Sequence, residues 1–178
     1  ESGEVAGGGF LAYADATQSL TANTETTVLF GSTDFNFQNE FNTTSNAFEP
    51  TLSGLYYLGA QVRVDNTNNH REPEIYIRRT RNTATTTLAE SKHGFLKPYD
   101  ALDNILTIST IADLRSGDSV DIRFNPLSTA ATIEAGQEHT FFAGHVLGGP
   151  RGPAGPSGAD GIVGSDGADG ADGPQGPQ

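Results

Sequence analysis

The side chains best suited to proton transfer or metal ligation in this chain are four histidines, His70, His93, His139 and His145. None stands at a metal-ligand spacing from another histidine, and the chain contains no cysteine. His139 and His145 fall in one candidate strand, six residues apart, so all four are expected on loop or strand surfaces. A threefold axis could still join three copies of one histidine into a site. Ser116-Gly117-Asp118 is not a nucleophile motif. It reads as a hairpin turn whose glycine supplies a positive φ. No Ser-His-Asp order, P-loop, paired catalytic carboxylates or Asp-x-Asp-x-Asp-Gly calcium loop is present, which argues against an enzyme. Arg71, Arg78, Arg79 and Arg81 form the one basic cluster. It reads either as a solvated strand end or as a docking patch for an anionic partner, such as an acidic glycan or an Asp-rich segment of another molecule. Asn42-Thr43-Thr44 is a glycosylation sequon, useful only in a eukaryotic secretory setting.

The most regular spacing belongs to glycine. Gly149, Gly152, Gly155, Gly158, Gly161, Gly164, Gly167, Gly170, Gly173 and Gly176 begin ten consecutive triplets without an error. Only a collagen triple helix demands that period, because three polyproline-like strands meet at an axis where nothing larger than hydrogen fits. Those glycines would line the axis, and a triple helix requires three chains. Proline stands at 150, 153, 156, 174 and 177, always directly after glycine and never in the third triplet position. That pattern suits a prokaryotic or viral collagen made without hydroxylation. The middle triplets lack proline and carry Asp160, Asp166, Asp169 and Asp172 with no Lys or Arg among them. The middle is therefore the expected weak section, between two proline-rich ends. Thirty residues at ~3.1 Å rise would make a rod of roughly 90 Å, short enough to need help in aligning its strands.

The chain has 178 residues, with a formal net charge of −12. Of this, −9 lies in residues 1–148 and −3 in the tail. Such a chain repels nucleic acid and anionic membranes and stays dispersed in water. No stretch approaches the ~20 apolar residues of a membrane span, so no membrane insertion is expected. The chain opens on Glu1 and holds no methionine, as a processed product or an excerpt would.

The elements that must hold these residues read as strands. In residues 54–64, Tyr56, Leu58, Ala60, Val62 and Val64 share one face, and Tyr57, Gly59, Gln61 and Arg63 the other. Similar alternation runs through Ile75 and Ile77, from Ile105 to Ile111, and through Val120, Ile122 and Phe124. Further strands are expected at 9–14, 26–31, 46–49, 85–90 and 139–147, with connections at 32–36 and 65–70. No amphipathic helix stands out. Many short strands at this spacing predict an all-β sandwich or jelly roll. The expected division is a flexible N-terminal arm at 1–8, a head at 9–148 and a collagen-like stalk at 149–178.

The ordered motifs of the head resemble the complement C1q-like globular family. They are Phe10-Leu11-Ala12, Val28-Leu29-Phe30 followed by Phe48, Gly54-Leu55-Tyr56-Tyr57-Leu58, Leu114 to Val120 with its Gly117-Asp118 turn, and Phe141 to Leu147. Leu58 replaces the phenylalanine usual in that family's Gly-x-Tyr-x-Phe strand. The resemblance implies a ten-stranded jelly roll related to tumour necrosis factor heads, assembled as a homotrimer. Tyr57, Gly59 and Gln61 would then face the threefold interface. Some members of that family bind calcium, so calcium is possible here, without mapped ligands; no other cofactor is expected. The family usually places collagen before the head, and here it follows. Because first and last strands are neighbours in such a fold, the reversal is geometrically easy.

Together these features predict a non-enzymatic subunit of a secreted or surface fibre, at a cell or virion surface. Its rod would dock on the next trimer's head near Gly173–Gln178. The alternative is a trimeric adhesin or pattern-recognition head on a collagen spacer, with a glycan or cell-surface ligand read by loops 65–72 and 91–104.

Overall fold

The computed structural model describes residues 8–65, 73–92 and 104–148. The stalk, Arg71, His70, His93, most of the arm and most of both candidate recognition loops lie outside the described residues.

The described chain forms strands β1 (Gly9–Tyr13), β2 (Gln18–Leu20), β3 (Thr26–Thr27), β4 (Ser32–Asn36), β5 (Phe41–Asn42), β6 (Ala47–Phe48), β7 (Gly54–Val64), β8 (Glu74–Arg81), β9 (Ala84–Lys92), β10 (Asn104–Leu114), β11 (Ser119–Asn125), β12 (Ala131–Ile133) and β13 (Phe141–Gly148). A 3-10 turn at Phe37–Asn39 is the one helical element among the described residues. The strands make two antiparallel sheets. Sheet A runs β2-β12-β7-β13-β1-β4, with β10 on the remaining edge of β7. Sheet B runs β5-β6-β11-β8-β9, with β3 also on β11.

Alternation decides which faces meet. Tyr56, Leu58, Ala60, Val62 and Val64 of β7 are buried, as are Ile75, Ile77, Val120, Ile122 and Phe124 across the sandwich. At one end the core is aromatic. The Phe10 ring lies 4.7 Å from Phe48, 5.2 Å from Phe41 and 4.9 Å from Phe142, tying strands of both sheets together. Gly144 makes this possible. A Cβ there would sit 2.8 Å from the Phe10 ring and 2.9 Å from Leu58. The close approach explains why a glycine interrupts the last apolar strand.

Three expectations change. Residues 32–36 are not a connection but the edge strand β4, a polar segment recruited by pairing with β1. The strand expected at 26–31 shortens to two residues. Ser116-Gly117-Asp118 is not a hairpin, because β10 pairs with β7 in one sheet and β11 with β8 in the other. The turn carries the chain across the sandwich. Gly117 still needs the positive φ foreseen for it, +89°. The crossing is held by Asp118, whose side chain is buried. Arg81 donates to both its carboxylate oxygens at 2.6 Å, and the Arg115 amide donates at 2.9 Å.

β1 and β13 are antiparallel neighbours, with Gly9 opposite His145. The Val146 amide donates to the Gly8 carbonyl, 3.1 Å, which continues the ladder. The two ends of the head therefore leave from one pole.

Candidate functional site

Burying the even positions of β7 turns its odd positions outward. Register then assembles a continuous outer face on sheet A. One row reads Ile111, Tyr57, His145, Gly9; the next reads Ser109, Gly59, Ala143, Leu11; the third reads Thr107, Gln61, Phe141, Tyr13. The Tyr57 ring leans along its strand over Gly59, its hydroxyl 3.2 Å from where a Cβ at 59 would sit. It also packs beside the His145 ring, 5.4 Å between centroids. Gln61 is held down by the carbonyls of Glu138 and His139, to which its amide donates at 2.9 and 3.1 Å. Between these side chains lies an open hollow of about 310 Å³, floored by Gly59 and walled by Tyr57, Gln61, Thr107, Ser109 and Phe141.

The rim of this face is apolar. Ile111 is 62 % exposed, Leu55 51 %, Leu147 49 % and Ile105 49 %. Single exposed leucines are ordinary, but several on one sheet face around a hollow mark a surface built to be covered. A smaller apolar spot, Phe35 with Phe37 at 5.3 Å, sits at the β4 edge.

Sheet B contrasts with this. Arg78 reaches Glu25 at 2.6 Å, stacks over the Tyr76 ring at 4.4 Å and donates to Thr87. Lys92 bridges Glu74 and Glu90 at 2.6 and 3.1 Å, and Arg123 pairs with Asp121. Hydrogen bonds from Lys92 and Tyr76 hold the Glu74 carboxyl below its usual range. Burial and the Glu74 contact push the Tyr76 phenol up. Burial alone would raise the Asp118 carboxyl, but hydrogen bonds from Arg81 and the Arg115 amide outweigh it and hold the group low.

The structure brings Tyr57, Gly59 and Gln61 together on the hollow. It divides the arginine run: alternation sends Arg78 to the outer face, with Arg79 and Arg81 on the opposite side of β8. Arg78 and Arg81 each already hold a carboxylate. His139 precedes β13 rather than lying in it, with Nδ1 2.8 Å from Arg63 Nη1, whereas His145 is exposed on the outer face. Among the described residues no three His, Asp or Glu side chains group as a metal site. Asn42 is exposed in an Asx turn, its Oδ1 accepting from the Thr44 amide at 2.9 Å.

Sequence reasoning missed Leu55, Ile111 and Leu147 as members of the face, and Asp118 as the lock between sheets. A signal for the first existed. β10 buries Leu106 and Ile108, yet Ile105 and Ile111 have the opposite parity, so the strand is apolar on both faces.

Comparison with known proteins bears on the same segment. The C1q domain profile matches residues 10–147. No curated protein sequence matches. Among solved structures, murine APRIL at pH 5.0 superposes with a TM-score of 0.64 at 17 % identity, covering 79 % of this chain and 99 % of that one. Eiger TNF from S. frugiperda gives 0.63 at 12 % identity, over 84 % and 97 %. The globular domain of zebrafish complement 1qA protein gives 0.58 at 13 % identity, over 80 % and 99 %. At these identities the likeness is one of fold. No helix among the described residues is long and apolar enough to cross a membrane.

Proposed function

The chain belongs to the C1q domain family, and from that premise we propose that it is a non-enzymatic homotrimer whose heads join through the outer face of sheet A and carry a collagen-like rod. The observation that carries this reading is the apolar rim around the hollow at Tyr57, Gly59 and Gln61. An apolar patch of that kind on one sheet face marks a site of association. The ten uninterrupted glycine triplets independently call for three chains. A covering partner that is a second and third copy satisfies both at once.

The trimer works as a structural unit at an extracellular, cell or virion surface. Gly148, the last described residue, is paired with Leu55, and in the sequence the triplets begin at the next residue, Gly149, with no linker residue between. A joint that short transmits force and orientation. Head-to-tail docking of rod ends on neighbouring heads is heterologous and propagates into a fibre. Sedimentation equilibrium of the full chain checks the first step, with a mass of three chains expected. Electron micrographs of concentrated protein check the second: alternating heads and rods support the fibre, and isolated lollipops count against it.

A binding head on a collagen spacer is the second reading. The polar outer face of sheet B, whose charges are already paired, favours it only as a passive display surface. A glycan-array signal from the trimer would place recognition in the head.

A further inference from the structure

The bulk on the outer face of sheet A is unevenly spread. Within the hollow Gly59, Thr107, Ser109 and Ala143 are small or polar, between the rings of Tyr57 and Phe141. At the pole where the chain leaves the sheet three large aliphatic side chains gather, with a fourth, Ile105, toward the opposite end of β10. Leu55 is the cross-strand partner of Gly148, the last paired residue of β13. Leu147 occupies the bulge between the pairs Val146–Tyr56 and Gly148–Leu55. Ile111 stands two residues along β10 from Asp113, the other partner of Leu55. All three are about half exposed or more. The glycine triplets start two residues after Leu147, at Gly149, and run for thirty residues.

We propose that Leu55, Ile111 and Leu147 of three copies close into an apolar collar at the mouth of the rod, and that this collar sets the register of the collagen strands. The proposal rests on the trimeric reading above and goes beyond it, because it assigns two jobs to two parts of one face. The hollow joins the heads. The collar gathers the three exits. The partner is two further copies of this chain, a choice fixed by the triplet repeat that begins at the collar's edge. The tail supplies the need. Its middle triplets have no proline and place twelve aspartates in a three-chain rod with no cation among them. Such strands depend on being presented together, and tethering their ends at one small opening raises their local concentration far above that of free chains. An aliphatic ring suits that task because it excludes water without imposing charge next to an acidic rod.

Arg151 offers a direct readout, as the one Lys or Arg in the tail and hence its single tryptic site. The experiment compares the full chain with Leu55→Ser/Leu147→Ser and, separately, Ile111→Thr. It measures mass by sedimentation equilibrium, head structure by far-ultraviolet circular dichroism, rod melting by the collagen band, and cleavage after Arg151 by mass spectrometry. Because these side chains are exposed, the head is expected to stay folded; losing part of the apolar rim weakens the trimer, and with the hollow untouched the variants are compared at concentrations where sedimentation still gives three chains. Cleavage after Arg151 is expected to accelerate at least about tenfold, with the rod melting at lower temperature. Trimeric variants with unchanged cleavage and melting overturn the collar alone. Variants that become monomeric overturn it as a separate device and return the three residues to the head joint. A monomeric unmodified chain overturns the trimeric reading itself, and the collar with it.

Discussion

The two sheets of this head bury the same kind of inner face and present opposite outer ones. Sheet B covers its outward side with matched charge: Arg78 with Glu25, Arg123 with Asp121, Lys92 between Glu74 and Glu90. Sheet A leaves Leu55, Tyr57, Ile105, Ile111 and Leu147 exposed around a hollow. Both arrangements are locally self-consistent strands, so propensity does not separate them. The difference lies in what each surface needs next. A surface of closed ion pairs is finished when the chain folds. An apolar face around a hollow is finished only when another surface arrives.

The largest test of this contrast is a bulky charge placed on each side. Ser109→Arg, in the hollow, is expected to abolish trimers in sedimentation equilibrium while leaving the circular dichroism of the head intact. Thr85→Arg, on the exposed β9 edge of sheet B, is expected to leave the trimer unchanged. Equal effects would erase the distinction between the faces. Next comes the interior the sheets share. Phe10→Ala removes a ring packed on Phe41, Phe48 and Phe142, and is expected to cost about 3–5 kcal/mol in denaturant unfolding. Asp118→Ala unlocks the crossing between sheets. It leaves Arg81 and the Arg115 amide without their acceptor, and is expected to cost roughly 3 kcal/mol. The same carboxylate contributes to acid sensitivity. Asp118 and Glu74 are both held below their ordinary values in the folded head. Their contribution is therefore complete above the ordinary carboxylate range and is lost as pH falls through it, below about 4. The midpoint of thermal unfolding should fall with acid in the unmodified chain and fall less steeply in Asp118→Asn. Smallest of all, Arg78→Ala on the outer face of sheet B is expected to change stability by under about 1 kcal/mol, as partly exposed ion pairs do.

How much of this was legible in the residues follows from what each pattern encodes. The buried face of β7 was readable because five apolar residues alternate without a break, and alternation is a local property. The family motifs were readable because they fix close contacts, as Gly144 does against Phe10 and Leu58. The edge strand β4 was not, since Ser32–Asn36 carries little apolar content and becomes a strand only by pairing with β1. The role of Asp118 was hidden for a related reason. A Gly-Asp turn looks the same whether it joins partners in one sheet or carries the chain between two, and the partner that decides, Arg81, lies 37 residues away. Tyr57, Gly59 and Gln61 were placed correctly on one face. The leucines and isoleucine that complete it required knowing which strands are neighbours, which is long-range information.

The adjacency of β1 and β13 has a practical corollary. Because Gly9 faces His145 across one ladder, the head's two ends are close enough for a linker of a few residues to join them. The ring so formed could be reopened at the exposed Asn82–Thr83 turn, which lies between β8 and β9 outside both ladders. A circular permutant of that kind would keep every strand pairing while moving both free ends from sheet A to sheet B. The head is in this sense topologically indifferent to where its chain begins, and connectivity becomes something an engineer can choose.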